Sequence, residues 1–232
     1  MSTRRQLCLL CASALLYAAA DAPWKNKQVT DWTEDDAKIV LADSPWAGSV
    51  TPTLVPNANR QRGGGMGRGG IGLGLPGMGR SRMGYPNGQP DPAADPSPGD
   101  VPVLRLRWES AAPIRDAEFK ARETNAPDID ESSYAIAVYG LPSTMARGEE
   151  KILAAEFRKQ AVIKREGQKD LKPSSVEVLQ RDDGPVIVYL FPRKVEITRQ
   201  DHRLEFDAQI AHLQLMKAFY TEEMTWHGKL EL

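Results

Sequence analysis

The chain has 232 residues, 30 basic and 31 acidic, with two cysteines and 41% hydrophobic side chains. Near-neutral charge argues neither for nor against an anionic partner overall. So few cysteines exclude a small disulfide-stapled scaffold.

Arg4 and Arg5 precede an apolar stretch from Leu7 to Ala20 that closes on Ala18-Ala19-Ala20. A positive start, a short apolar run and a small-residue site predict a secretory signal peptide over residues 1–20, removed before Asp21. The run is shorter than the ~20 residues a spanning helix needs, so no stable membrane span is expected after cleavage. The expected location is secreted or periplasmic. Cys8 and Cys11 leave with the signal, so their C-x-x-C spacing is read as coincidence rather than as a redox or zinc site. The mature chain keeps 28 basic against 31 acidic residues, a net charge of −3.

Residues 21–55 form a Trp-rich helical segment. In W-T-E-D-D-A, Thr33 suits the N-cap with Asp36 three residues on, a variant of the capping box. Glu34, Asp35 and Asp36 place negative charge at the positive end of the helix dipole. The helix is expected to run to about Ala42 and to stop before Ser44-Pro45. Trp24, Trp32 and Trp46 cannot bury one another on so short a piece. They need another surface, either the chain's own domain or a partner, and are the candidate docking residues.

Residues 56–100 read as a disordered Gly/Pro/Arg-rich linker. Twelve of the 19 glycines fall between Gly63 and Gly88, and nine of the 17 prolines between Pro52 and Pro102. Such a stretch buries too little side chain to offset its ordering entropy, and as a coil would span roughly 35–40 Å. Arg60, Arg62, Arg68, Arg80 and Arg82 lie there with no acid before Asp91. Their R-G-G spacing resembles single-stranded nucleic-acid binders, but export removes those targets. A weak, salt-dependent contact with an anionic envelope component is the alternative to a plain spacer.

Residues 101–232 carry mostly period-two patterning. Leu104, Leu106 and Trp108 alternate with Arg105 and Arg107. Pro113–Arg122 predicts a short helix, Tyr134–Tyr139 a central strand, and Gly148–Gln160 a second helix. Strands follow at Ala161–Arg165, Val176–Gln180, Val186–Phe191, Val195–Thr198, Leu204–Ile210, Leu213–Phe219 and Trp226–Leu232. Asp182-Asp183-Gly184 is a hairpin signal. Consecutive strands with short connections imply an α+β domain, mainly an antiparallel β-meander with a few helices on one face.

The segments D-W-T-E-D-D-A and D-S-P-W-A near the start, with V-L-R-L-R-W-E-S-A, D-G-P-V-I-V-Y-L-F-P-R and F-D-A-Q-I…M-T-W-H-G-K-L-E-L later, resemble a group of uncharacterised secreted bacterial proteins. The resemblance implies export and names no activity, so no catalytic residue carries over from it.

Chemistry is sparse. His202, His212 and His227 are the only histidines, and their wide spacing lacks the H-x-H or H-x-x-x-H form of a metal site. No metal and no cofactor is expected. There is no G-x-S-x-G, and Ser174-Ser175 reads as a turn into a strand. Acidic clusters at Asp128, Asp130 and Glu131 and at Asp182-Asp183 sit in expected loops, where acids are usually turn formers. The expected function is a non-enzymatic binding or structural module with an unknown protein or envelope partner. A hydrolase acting on an envelope or extracellular polymer through loop carboxylates is the alternative.

Overall fold

A computed structural model describes residues 22–55, 101–123 and 126–232. The expected signal peptide and the Gly/Pro/Arg-rich tract, with Arg60, Arg62, Arg68, Arg80 and Arg82, lie outside the described residues.

The chain opens with α1 (Pro23–Asn26), a 3₁₀ turn (Val29–Asp31) and α2 (Glu34–Ala42). Helix α2 begins where the sequence requires: the Thr33 hydroxyl accepts from the Asp36 amide, and the Asp36 side chain accepts from the Thr33 amide. Two short strands follow, β1 (Ala47–Val50) and β2 (Thr53–Leu54). Next come β3 (Leu104–Trp108), α3 (Ala112–Ala121), β4 (Ser133–Tyr139) and α4 (Glu150–Lys159). The rest is β5 (Ala161–Arg165), β6 (Ser175–Leu179), β7 (Val186–Pro192), β8 (Arg203–Ile210), β9 (Leu213–Tyr220), β10 (Thr225–Trp226) and β11 (Lys229–Leu230). The fold is α+β with β dominant.

The strands divide between two main sheets, ordered β1-β3-β4-β7-β6 and β2-β9-β8-β5, plus the β10–β11 hairpin. Every pairing is antiparallel. Alternation decides which face each strand buries. Leu104, Leu106 and Trp108 of the first sheet and Leu204, Phe206, Ala208 and Ile210 of the second are buried in one shared core. Rings join the two sheets edge-on: Tyr189 and Phe206 lie 5.2 Å apart, and Trp108 and Phe219 5.3 Å apart. A second apolar cluster of Ala135, Ala137, Tyr139, Val186 and Val188 lies on the opposite face of the first sheet, against Ile129.

The 22–55 segment contributes more than a helix. Strand β1 pairs with β3 and β2 with β9, so two residues, Thr51 and Pro52, carry the chain from one sheet to the other. Trp32, Val40, Leu41 and Trp46 belong to the same core as Trp108 and Phe219. Gly48 leaves room for Lys217, whose Nζ lies 2.6 Å from where a Cβ would sit and whose ammonium lies 5.3 Å from the Phe219 ring centre.

Two expected strands differ. Val195–Thr198 is not extended into a sheet, because side chains take its backbone groups: Asp201 accepts from the Thr198 amide and Arg165 donates to the Glu196 carbonyl. The Tyr134 hydroxyl likewise accepts from the Ile197 amide. Trp226–Leu232 folds back on itself as β10–β11 through His227 and Gly228, both at positive φ, 48° and 79°. The Asp182–Gly184 turn does join β6 to β7. Gly184 has φ of +118°, and a Cβ there would meet the Leu141 carbonyl oxygen at 2.5 Å.

Candidate functional site

Elements from both ends of the chain build the tryptophan-rich end. Helix α1 starts with proline in its first turn, where the missing N–H costs nothing. Beyond it the Lys27 ammonium reaches both oxygens of Asp36 at 2.8 and 2.7 Å. That contact, with the Thr33 amide, holds the Asp36 carboxyl below the usual aspartate range. Trp46 is wholly buried, and its indole N–H donates to the Glu231 carbonyl at 2.8 Å. Trp32 is 4% exposed and lies 5.4 Å from Trp226, which Trp46 meets edge-on at 6.4 Å. The Trp226 ring in turn lies 4.4 Å from the His227 imidazole. Trp24 is partly buried against the core. Its indole N–H is buried without an acceptor among the described residues, as is that of Trp32.

Trp24 lines an open cavity of about 320 Å³ together with Lys25, Asn26, Lys27, Gln28, Thr225, His227 and Gly228. A second cavity, about 290 Å³, has Ser110, Arg115, Ile129, Asp130, Glu131, Arg193 and Glu231 around it. A third, about 260 Å³, lies between Arg193, Glu196, Thr198, Arg199 and Glu231. Carboxylates border the second and third cavities but not the first.

The densest group of titratable side chains lines none of the three. Arg107 on β3 is 2% exposed, Glu109 just beyond β3 is 1%, and Glu118 on α3 is 6%. The Arg107 guanidinium bonds Glu123 at 2.8 Å, approaches Glu118 at 3.8 Å and donates to the Leu41 carbonyl at 3.0 Å. It also covers the Tyr139 ring at 4.6 Å. Tyr139 donates its hydroxyl proton to Glu109 at 2.5 Å. Burial raises Glu118, and the neighbouring Glu109 charge raises it further, to about 10. Glu118 therefore keeps its proton beside Glu109, and Glu118 Oε1 and Glu109 Oε2 have no hydrogen-bond partner among the described residues. Burial also lifts Glu109, against the pull of Glu118, of the Tyr139 hydrogen bond and of Arg107. For Arg107 burial acts the other way, but Glu109 and Glu123 outweigh it and keep the guanidinium charged. Chemically this is a buried cluster of two raised glutamates, an arginine and a tyrosine, with no opening to a substrate. It ties α2, α3, β3 and β4 together.

The acids read from the sequence are spread apart. Asp130 and Glu131 border the second cavity, while Asp182 and Asp183 sit in the β6–β7 turn. The Ser132 amide and hydroxyl bind Asp130 at 3.0 and 2.9 Å and hold its carboxyl below the usual range. His202 is exposed, at φ 48°, with its Nδ1 3.4 Å from Glu222. His212 lies in the β8–β9 turn and His227 in the β10–β11 turn. Among the described residues no group of three or more His, Cys, Asp or Glu is placed to hold a metal ion. No described helix is long and apolar enough to cross a membrane.

The Arg107–Glu109–Glu118–Tyr139 cluster was not legible as a site, because in R-L-R-W-E the charged residues occupy the polar phase of a half-buried strand. A Trp-His pair in the closing T-W-H-G-K was the one available sign that Trp32 and Trp46 would meet the other end of the chain. No family model matches the chain, and no curated protein or solved structure does either.

Proposed function

We propose that the chain is an exported, non-enzymatic protein that works as a binding or structural module, in the periplasm or outside the cell. The observation that carries the non-enzymatic part is the burial of the convergent acids. Glu109 and Glu118 are 1% and 6% exposed and border none of the three cavities. A general acid must reach the atom it protonates, and these cannot without unfolding of α3.

Export is supported by Arg4, Arg5 and the Leu7–Ala20 run with its small-residue close, the composition of a cleaved leader. The mature chain would then hold no thiol and rely on its shared core. Its partner is a protein or an envelope component rather than a nucleic acid. The hydrolase alternative draws on Asp130 and Glu131 beside a cavity. Ser132 keeps Asp130 ionised, which suits a turn former better than a proton donor.

N-terminal sequencing of the protein recovered from cell fractions tests the export half. Asp21 as first residue in a non-cytosolic fraction is expected. Intact Met1 on cytosolic material, with both cysteines retained, would overturn it.

A further inference from the structure

We propose that the cavity between α1 and the β10–β11 turn binds an acidic sugar unit, a hexuronate within a polysaccharide. The inference rests on the reading of the chain as a binding module and names its ligand class. Three observations carry it.

The wall is chemically matched to a ring with an apolar face, hydroxyl edges and one carboxylate. Trp24 and His227 supply aromatic surface, Asn26 and Gln28 supply planar amides, and Lys25 and Lys27 supply ammonium groups. Few convergent polar groups beside aromatic surface are the usual make-up of a small-ligand site, and amides both donate and accept to hydroxyls.

The charge is positive and single. No carboxylate lines this cavity, in contrast to the other two. Lys27 is committed to Asp36 through two hydrogen bonds. Lys25 is exposed and makes no ion pair among the described residues. One available ammonium suits one carboxylate per sugar. A polyphosphate or nucleic acid would call for several cations along a track, and a lipid surface for an apolar rim.

The wall is also held in place before a ligand arrives. His227 sits at φ 48°, unusual for a non-glycine residue, and its ring lies against Trp226, which lies against buried Trp32. Trp24 is partly buried and packed against the core. A site with fixed rings loses little side-chain entropy on binding.

The test is calorimetric titration of the mature full chain with a galacturonic acid trimer, its carboxyl-reduced neutral counterpart, and inorganic phosphate. The trimer should bind at least tenfold tighter than the neutral sugar, and phosphate should not displace it at equal concentration. Lys25→Gln, at an exposed position, should erase the preference for the acid. Trp24→Ala should weaken both sugars at least tenfold. Equal affinity for the two sugars, displacement by phosphate, or unchanged binding in both variants would overturn the site. No binding of either sugar to wild type would also overturn it, and would leave the non-enzymatic reading intact. Release of shorter sugars from a bound trimer would sink the non-enzymatic reading while the site stands.

Discussion

Replacing Glu118 by glutamine isolates the buried carboxyl pair. In the folded chain the Glu118 carboxyl is pushed up to about 10, against 4.5 for an ordinary glutamate. Between those values the folded state holds a proton that the unfolded state has released. Stability from this group is therefore full below pH 4.5 and declines as pH rises toward 10, by at most about 1.4 kcal/mol per pH unit. Glutamine stays neutral throughout and keeps the shape of the protonated acid. The Glu118→Gln chain should thus lose less stability than wild type between pH 5 and 9, and should exceed it at the alkaline end. Urea unfolding of the mature chain at each pH, read by tryptophan fluorescence, gives both profiles. The difference between them cancels the titrations that the two chains share. Parallel profiles over pH 5–9, with the variant weaker than wild type by a constant amount, would refute a protonated Glu118 in the folded chain.

Trp46→Ala removes a wholly buried indole and its hydrogen bond to Glu231, and should cost about 3–5 kcal/mol in chemical denaturation. Gly184→Ala forces a Cβ to within 2.5 Å of the Leu141 carbonyl oxygen at φ +118°, and should cost about 1–3 kcal/mol. Asp201 behaves oppositely to Glu118. Burial alone would raise it, but Arg165, at 2.6 Å, and the Thr198 amide hold it below the usual range. Its contribution is present above about pH 4 and lost as pH falls through the lowered value. Asp201→Asn should therefore cost about 3–5 kcal/mol at pH 7, with the gap to wild type narrowing below pH 4 in acid unfolding curves.

Local signals were readable wherever one residue type decided the outcome. The Thr33–Asp36 box, the proline-led α3, the alternation along β8 and β9 and the Asp182–Gly184 turn all carry their conformation in a few adjacent residues. What could not be read is long-range. Strands β1 and β2 are four and two residues long, too short for any periodicity, and only their pairing with β3 and β9 makes them strands. The Val195–Thr198 run has strand-like residues, but Asp201 and Arg165 reach it from outside and take its backbone groups. At the candidate site the tryptophans announced a need for burial. Which surface would meet them depended on Trp226 and Glu231, nearly two hundred residues away in the chain. The buried Arg107 cluster was hidden for the same reason, since its partners lie on α3 and β4.

Residues 22–55 are a structural layer of the same core rather than an attachment to it. Removing them would uncover Trp226, which Trp32 and Trp46 meet, and delete Trp32, Val40, Leu41 and Trp46 from the interior. At about 1.5–3 kcal/mol for each large side chain, that loss is comparable with the 5–15 kcal/mol that holds a typical domain together. Thermal unfolding of residues 101–232 alone, beside the chain spanning 21–232, is the direct measurement. The shorter chain should show no cooperative transition, or one lowered by more than about 10 °C. An unchanged, cooperative melt would contradict the account.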